Sequence, residues 1–309
     1  MPSSSVDLTR QILWIGEGMT TPGTTPMSPA LKHTGSVSIE EDESLAHEEI
    51  RVLGINTLYA DIIMGKTDTF TLNYYLYDTT LLRQGILFNG AAGGADESIT
   101  VFESKKPGGP GTPELFRLRQ GSYTTGVTLT IGKVYRVAHS FRCIRMTNWM
   151  DQTALTALIG TPVYPAAQTA QPKTNLDARI PPQNLDIDPY TLNAVPVDAD
   201  EITITVGYSI AEKTPLGRFD PKNLRAMNQT ISKTLSVWQE SGALFGDMRN
   251  FLTMNATFKL WEATPTDAVL TMNGVKWNSY RVSDEGGAGE FTKEEFGGVV
   301  NSLDIPLIT

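Results

Sequence analysis

Apolar and polar residues alternate along much of this chain with a period of two, the repeat of a strand that buries one face. Phe70, Leu72, Tyr74 and Leu76 alternate with Thr71, Asn73, Tyr75 and Tyr77, and Ile202, Ile204, Val206, Tyr208 and Ile210 with Thr203, Thr205, Gly207 and Ser209. A third run, 228–237, sets Ile231, Leu235 and Val237 against Thr230, Ser232, Thr234 and Ser236, with Lys233 interrupting the apolar side. The same reasoning predicts strands at 50–58, 98–103, 114–119, 127–131, 134–138, 141–147, 256–263, 268–272, 275–282 and 298–306. Helical spacing is confined to 79–89, with Asp78 as cap, Leu82, Ile86 and Leu87 on one face and Gly90 as stop, and to 239–250.

Between these runs lie segments that resist regular structure. Residues 1–36 carry Gly16, Gly18, Pro22, Gly23, Pro26 and Pro29 and read as an extended N-terminal arm. The run Lys105, Lys106, Pro107, Gly108, Gly109, Pro110 and Gly111 reads as a long hairpin tip. Seven prolines between Pro162 and Pro196 mark 161–196 as a linker. The divisions are therefore an arm at 1–36, a unit at 37–160, the linker, and a second unit at 197–309. The units share an order of elements: Leu53-Gly54, a strand from Thr69 to Tyr74 and a helix ending at Asn89 match Leu216-Gly217, a strand from Thr230 to Leu235 and a helix ending at Asn250.

Composition narrows the function classes. The chain has 309 residues, 40% hydrophobic and 19% charged, with 27 Gly and 18 Pro, which suits a folded protein of short strands and many turns. Its 25 basic and 34 acidic side chains leave a net charge of −9, the wrong sign for wrapping a nucleic-acid backbone. A single cysteine, Cys143, excludes an intrachain disulfide and reads as a buried reduced thiol, because the flanking Arg142 and Arg145 are not general bases. Met1-Pro2-Ser3 lacks a basic start and Ile12–Ile15 is too short for a signal h-region, so synthesis in the cytosol without signal-peptide export is expected, and no membrane association.

No set of catalytic residues converges. His33, His47 and His139 are far apart, without metalloprotease spacing, and there is no G-x-S-x-G elbow or phosphate-binding loop. The Gly16-x-Gly18 pair lacks the third glycine of a dinucleotide site. Asp186, Asp188, Asp198 and Asp200 are acceptable Ca²⁺ ligands in type but lack the loop that would gather them, and His47-Glu48-Glu49 reads as a solvated acidic surface. No enzyme activity, cofactor or metal is expected.

In order and spacing the chain resembles the tail tube proteins of long-tailed bacterial and archaeal viruses, in the long form built from two tube modules. The resemblance is carried by Glu48-Glu49-Ile50-Arg51-Val52-Leu53-Gly54, by Phe70-Thr71-Leu72-Asn73-Tyr74-Tyr75-Leu76-Tyr77 leading into Leu81-Leu82, by the stretch from Tyr135 to Met146, and by Leu216-Gly217 with the Ser/Thr strand after it. Arg142 stands before Cys143 where such proteins often carry glycine.

The resemblance implies a mostly β protein of two tandem β-sandwich or half-barrel modules, each with a flanking helix. It implies rings of three chains with pseudo-six-fold symmetry, stacked into the hollow tail tube of a virion assembled in the host cytoplasm. Its partners would be further copies of the chain, a tape-measure protein, a tail terminator and tail-tip or baseplate proteins, with viral DNA passing unheld. Thr71, Asn73, Thr203, Thr205, Thr230, Ser232, Thr234 and Ser236 would then face the channel, which is expected to be acidic, and the Lys105–Gly111 run would join one ring to the next. Another virion part (baseplate, capsid or tail tip) and a β-sandwich binding or adhesin module are the alternatives.

Overall fold

The computed structural model describes residues 9–16, 32–33, 36–50, 60–76, 80–86, 98–106, 113–132, 135–161, 190–197, 199–215, 220–238, 246–247, 249–261, 268–284 and 292–305. The strands among them are β1 (Thr9–Gly16), β2 (Lys32–His33), β3 (Ser36–Ile50), β4 (Ala60–Tyr75), β5 (Ile99–Lys106), β6 (Leu115–Ile131), β7 (Arg136–Met146), β8 (Tyr190–Leu192), β9 (Val195–Pro196), β10 (Ala199–Lys213), β11 (Asn223–Trp238), β12 (Met254–Trp261), β13 (Ala268–Asp284), β14 (Thr292–Val299) and β15 (Ser302–Asp304). Helix α1 (Thr80–Ile86) lies between β4 and β5, and α2 (Gln152–Ile159) follows β7. The protein is mostly antiparallel β, as its alternating pattern requires.

One strand pattern is used twice. β3, β4, β7 and β6 lie side by side in that order, and β10, β11, β14 and β13 repeat it. Three irregularities of pairing coincide. The bulge between Ser36 and Ser38 in β3 returns between Ala199 and Glu201 in β10. The shift between Thr124 and Gly126 in β6 returns between Trp277 and Ser279 in β13, and the shift between Ile99 and Val101 in β5 returns between Met254 and Ala256 in β12. Gly121 and Gly274 sit at the same point of the pattern with φ of 59° and 66°, a left-handed conformation that glycine adopts without the clash of a Cβ.

These coincidences set a residue-by-residue equivalence. β3 and β4 precede β10 and β11 by 163 residues at both ends of the pairing, from Ser36 opposite Tyr74 and Ala199 opposite Val237 to Ile50 opposite Ala60 and Lys213 opposite Asn223. β6 precedes β13 by 153, as Gly121 and Gly274 show. The sequence-level match of Thr69 with Thr230 is therefore two residues out of step, since Thr69 stands where Ser232 does. A shift of two returns every side chain to its own face, so alternation alone cannot detect it.

The two patterns are joined edge to edge within the chain. β6 pairs with β10 from Gly126 opposite Gly207 to Ile131 opposite Ile202. On one face this junction packs Val127, Leu129 and Ile131 beside Ile202, Ile204 and Val206, each at most 4% exposed. At about 1.5–3 kcal/mol for each fully buried aliphatic side chain, the six hold the junction as firmly as any core. α1 covers it: a Cβ at Gly85 would strike Val127 and His139, and the Ile86 carbonyl accepts hydrogen bonds from Tyr208 Oη (3.0 Å) and Gln229 Nε2 (2.6 Å). A single apolar cluster runs across both patterns, with the Tyr135 ring edge-on to Phe258 at 5.5 Å.

Several expectations change. Thr9–Gly16, expected in an extended arm, is a strand paired along its whole length with β5. Lys105 and Lys106 are not a loop tip, because β5 is held on both sides, by Arg10 and Thr9 of β1 and, at Lys105, by Leu115 of β6; Pro107 to Gly111 lie outside the described residues. The linker ends early: Tyr190–Leu192 pairs with β12, and a turn at Asn193 and Ala194, both at positive φ, leads into Val195–Pro196. The runs at 114–119 and 127–131 are one strand, β6, as are 268–272 and 275–282 in β13 and the larger part of 134–138 and 141–147 in β7. Helix α2 had no counterpart in the sequence reading. Asp151 caps it, accepting from Ala154 N at 2.8 Å, and Leu155 and Ile159 pack on Phe102, Phe116 and Leu118. The helix expected at 239–250 lies largely outside the described residues.

Candidate channel face and assembly edges

All eight residues singled out for a channel lie on one face of the eight-strand array. Thr71 and Asn73 alternate with buried Phe70, Leu72 and Tyr74 on β4; Thr203 and Thr205 alternate with buried Ile202, Ile204 and Val206; Thr230, Ser232, Thr234 and Ser236 alternate with buried Ile231, Lys233, Leu235 and Val237. Register makes the face continuous. Asn73 is opposite Ala138, Ala138 opposite Thr128, Thr128 opposite Thr205, and Thr205 opposite Ser232. Thr71 and Ser140 hydroxyls are 2.9 Å apart, and Thr230 Oγ1 donates to the Gly207 carbonyl at 3.3 Å. Thr128, Thr130 and Ser140 belong to the same face. Their alternation with Val127, Leu129, Ile131, Val137 and His139 was present in the sequence but divided between short runs.

The face carries both signs of charge. Glu40, Asp42, Glu201 and Glu295 are interleaved with Arg136, Arg142, Lys276, Arg281 and Lys293. The acidic surplus expected here is diverted because Glu40-Glu41-Asp42-Glu43 lies inside β3, where alternation sends every second carboxylate to the opposite side. There Glu41 pairs with Arg117 at 2.6 Å and with Arg119, and Glu43 pairs with Lys66 at 2.8 Å. Arg119, fully buried, also meets the equally buried Glu103 at 2.8 Å. On the polar face Arg142 is held by Glu212, and Asn73 Nδ2 donates to Glu40 Oε1 at 2.9 Å.

Behind the face, titratable groups are shut in. Burial drives the His139 imidazole down to about 3, so it is neutral; its ring stacks on Phe141 at 4.0 Å and its Nε2 lies 2.9 Å from Thr124 Oγ1. Burial also pulls the Lys233 ammonium down to about 7, between the Trp277 and Tyr190 rings at 4.4 and 4.7 Å and hydrogen-bonded to Tyr190 Oη. The Cys143 thiol is pushed up to about 12, by burial first and then by the Asp68 charge, and it donates to the Asp68 carbonyl at 3.6 Å. Such a thiol is inert as a nucleophile. Asp68 itself is raised, desolvation outweighing Lys66. Cys143 and Asp68 face each other across β4 and β7, whereas His139 and Lys233 sit in separate aromatic surroundings. Among the described residues no three His, Cys, Asp or Glu side chains gather as metal ligands would, and no helix is long and apolar enough to cross a membrane.

The two outer strands of the eight-strand array each have an edge without a partner among the described residues. β3 pairs only with β4 and leaves its other side free, and the second half of β13 pairs only with β14. Val282, on that half, is 44% exposed, whereas Leu129 at the equivalent place in β6 is fully buried by β10.

No protein-family model matches the sequence, and no curated protein matches it. Among solved structures, the chain is similar to a component of the anti-feeding prophage baseplate, determined by cryo-EM with six-fold symmetry imposed. The alignment has a TM-score of 0.33 and 11% identity over 39% of this chain and 91% of the other, a likeness too slight to bear on fold or role.

Proposed function

We propose that this chain is a structural protein of a virion tail, closing into rings that stack into the hollow tube through which the viral genome passes. The observation that carries this reading is the repeated four-strand pattern, joined edge to edge inside the chain and ending in two further open edges. A joint that works once within a chain can work again between chains, and three copies would bring six patterns and 24 strands to a closed wall. Closure removes the sheet edges that would otherwise template aggregation.

The common face suits a channel. Short hydroxyls stay hydrated and offer a sliding polymer no deep contacts, and the interleaved charges give phosphates no cluster of cations to grip. A tape-measure protein, a tail terminator and tail-tip or baseplate proteins would be the other partners, and the role needs no catalysis or cofactor.

Electron microscopy of the purified protein tests the reading: rings of three chains with pseudo-six-fold outline, stacking into tubes, are expected, and a monomer at every concentration would overturn it. The face is tested separately by Thr203→Lys combined with Ser232→Lys. Tubes carrying this pair should retain DNA at low salt and release it at high salt; DNA behaviour identical to that of the unsubstituted tube would put the face elsewhere.

A further inference from the structure

The open edges differ in charge, and the internal repeat specifies how they would meet. We propose that the edge of β13 from Ser279 to Asp284 pairs antiparallel with Ile39 to Ser44 of β3 in a second copy of this chain, in the register of the β6–β10 junction. The proposal rests on the ring reading and deepens it by naming the strands, the register and the reason for a head-to-tail joint.

The register follows from the equivalences already established. Val127 opposite Val206 becomes Tyr280 opposite Glu43; Thr128 opposite Thr205 becomes Arg281 opposite Asp42; Leu129 opposite Ile204 becomes Val282 opposite Glu41; Thr130 opposite Thr203 becomes Ser283 opposite Glu40. This correspondence brings a guanidinium and a carboxylate directly opposite each other on the polar face, both on exposed residues. Neither Arg281 nor Asp42 forms an ion pair with a described residue of its own chain. In a direct cross-strand pair their Cβ atoms would lie about 4.5–5.5 Å apart. The incoming strand would also cover Val282, with Glu41 opposite it where β10 sets Ile204 opposite Leu129.

Charge further selects the partner. β3 presents Glu40, Glu41, Asp42 and Glu43 in succession, so two β3 edges repel each other, and two β13 edges would bring the Lys276 and Arg281 cations of both copies together. Only the unlike edges attract. A two-fold dimer through either edge is thereby disfavoured and the heterologous joint, which can close a ring, is the one left.

Arg281→Glu, Asp42→Arg and the exchanged double variant test the pair, with circular dichroism verifying that each variant folds. Each single reversal should raise the concentration for ring formation by about tenfold or more, and the double variant should recover most of it. A second measurement uses paired cysteines, for which the inert Cys143 leaves a clean background. Ser283→Cys with Glu40→Cys should cross-link one copy to the next on mild oxidation, whereas Ser283→Cys with Glu41→Cys, one step out of register, should not. If the unsubstituted protein forms no rings, the tube reading itself fails. If it forms rings that ignore both charge reversals, or that cross-link out of register, the rings stand and this edge pairing is overturned.

Discussion

Replacing His139 with phenylalanine should flatten the acid side of this protein's stability curve, by an amount the structure sets. His139 is fully buried, and the groups around it, Tyr74 Oη, Thr124 Oγ1, the Phe141 ring and Gly85 of α1, include no counter-charge for an imidazolium. Burial holds the imidazole down to about 3 in the folded chain, against about 6.5 when unfolded. Between those values the unfolded state binds more protons, so lowering pH favours unfolding; the folded chain is unpenalised above 6.5 and loses stability as pH falls toward 3. At pH 4.5, two units below the unfolded value, the loss is about 2.7 kcal/mol at 1.36 kcal/mol per unit. Phenylalanine is the natural probe because Phe296, fully buried, holds the equivalent position in β14. The variant removes the hydrogen bond at the Thr124 hydroxyl, at about 1–3 kcal/mol, but that loss is the same at every pH. Urea unfolding of both proteins at pH 7.5 and 4.5 isolates the effect: the difference between them should shrink by about 2–3 kcal/mol at the lower pH. Equal losses on acidification, or an NMR titration of His139 near 6.5, would refute the reasoning.

Other perturbations bear on different features. Gly121→Ala and Gly274→Ala should each lower stability by about 1–3 kcal/mol in thermal unfolding, since φ is 59° and 66° and the new Cβ would press on Ile144 and Asn301; a variant as stable as the parent would show the bend to be unnecessary. Arg119→Met removes the buried guanidinium that meets both Glu103 and Glu41 and should cost about 3–5 kcal/mol, with Arg119→Met/Glu103→Gln less damaging than the sum of the singles; additivity in a double-mutant cycle would deny the coupling. Lys233, held down to about 7 by burial, makes the chain gain up to about 1.4 kcal/mol per unit between pH 7 and 10, because the unfolded ammonium keeps its proton longer; Lys233→Met should remove that rise, and an unchanged slope would contradict the burial.

What this sequence determined by itself is the side to which each residue of a strand points. That property has a period of two and is local, so the runs at Phe70–Leu76, Ile202–Val206 and Thr230–Val237 were legible residue by residue, and with them the eight members of the polar face. Which strand pairs with which, and in what step, was not legible, because pairing energy comes from residues far apart in the chain and is unchanged in facing by a shift of two. Hence Thr69 was matched with Thr230 instead of Ser232. Gly121 and Gly274 look like interruptions in a linear reading, yet each lets one long strand bend and change neighbours, β6 passing from β5 to β10 while β7 lines its other side, and β13 passing from β12 to β14. Lys105 and Lys106, next to a Pro/Gly run, became strand only because β1 pairs with both and β6 holds Lys105 from the other side. The acidic run at 40–43 drew attention as a patch of charge, but lying within β3 it is split between two faces and one open edge. Tertiary structure decided that, because a strand's outer edge exists only once its inner neighbour has been chosen.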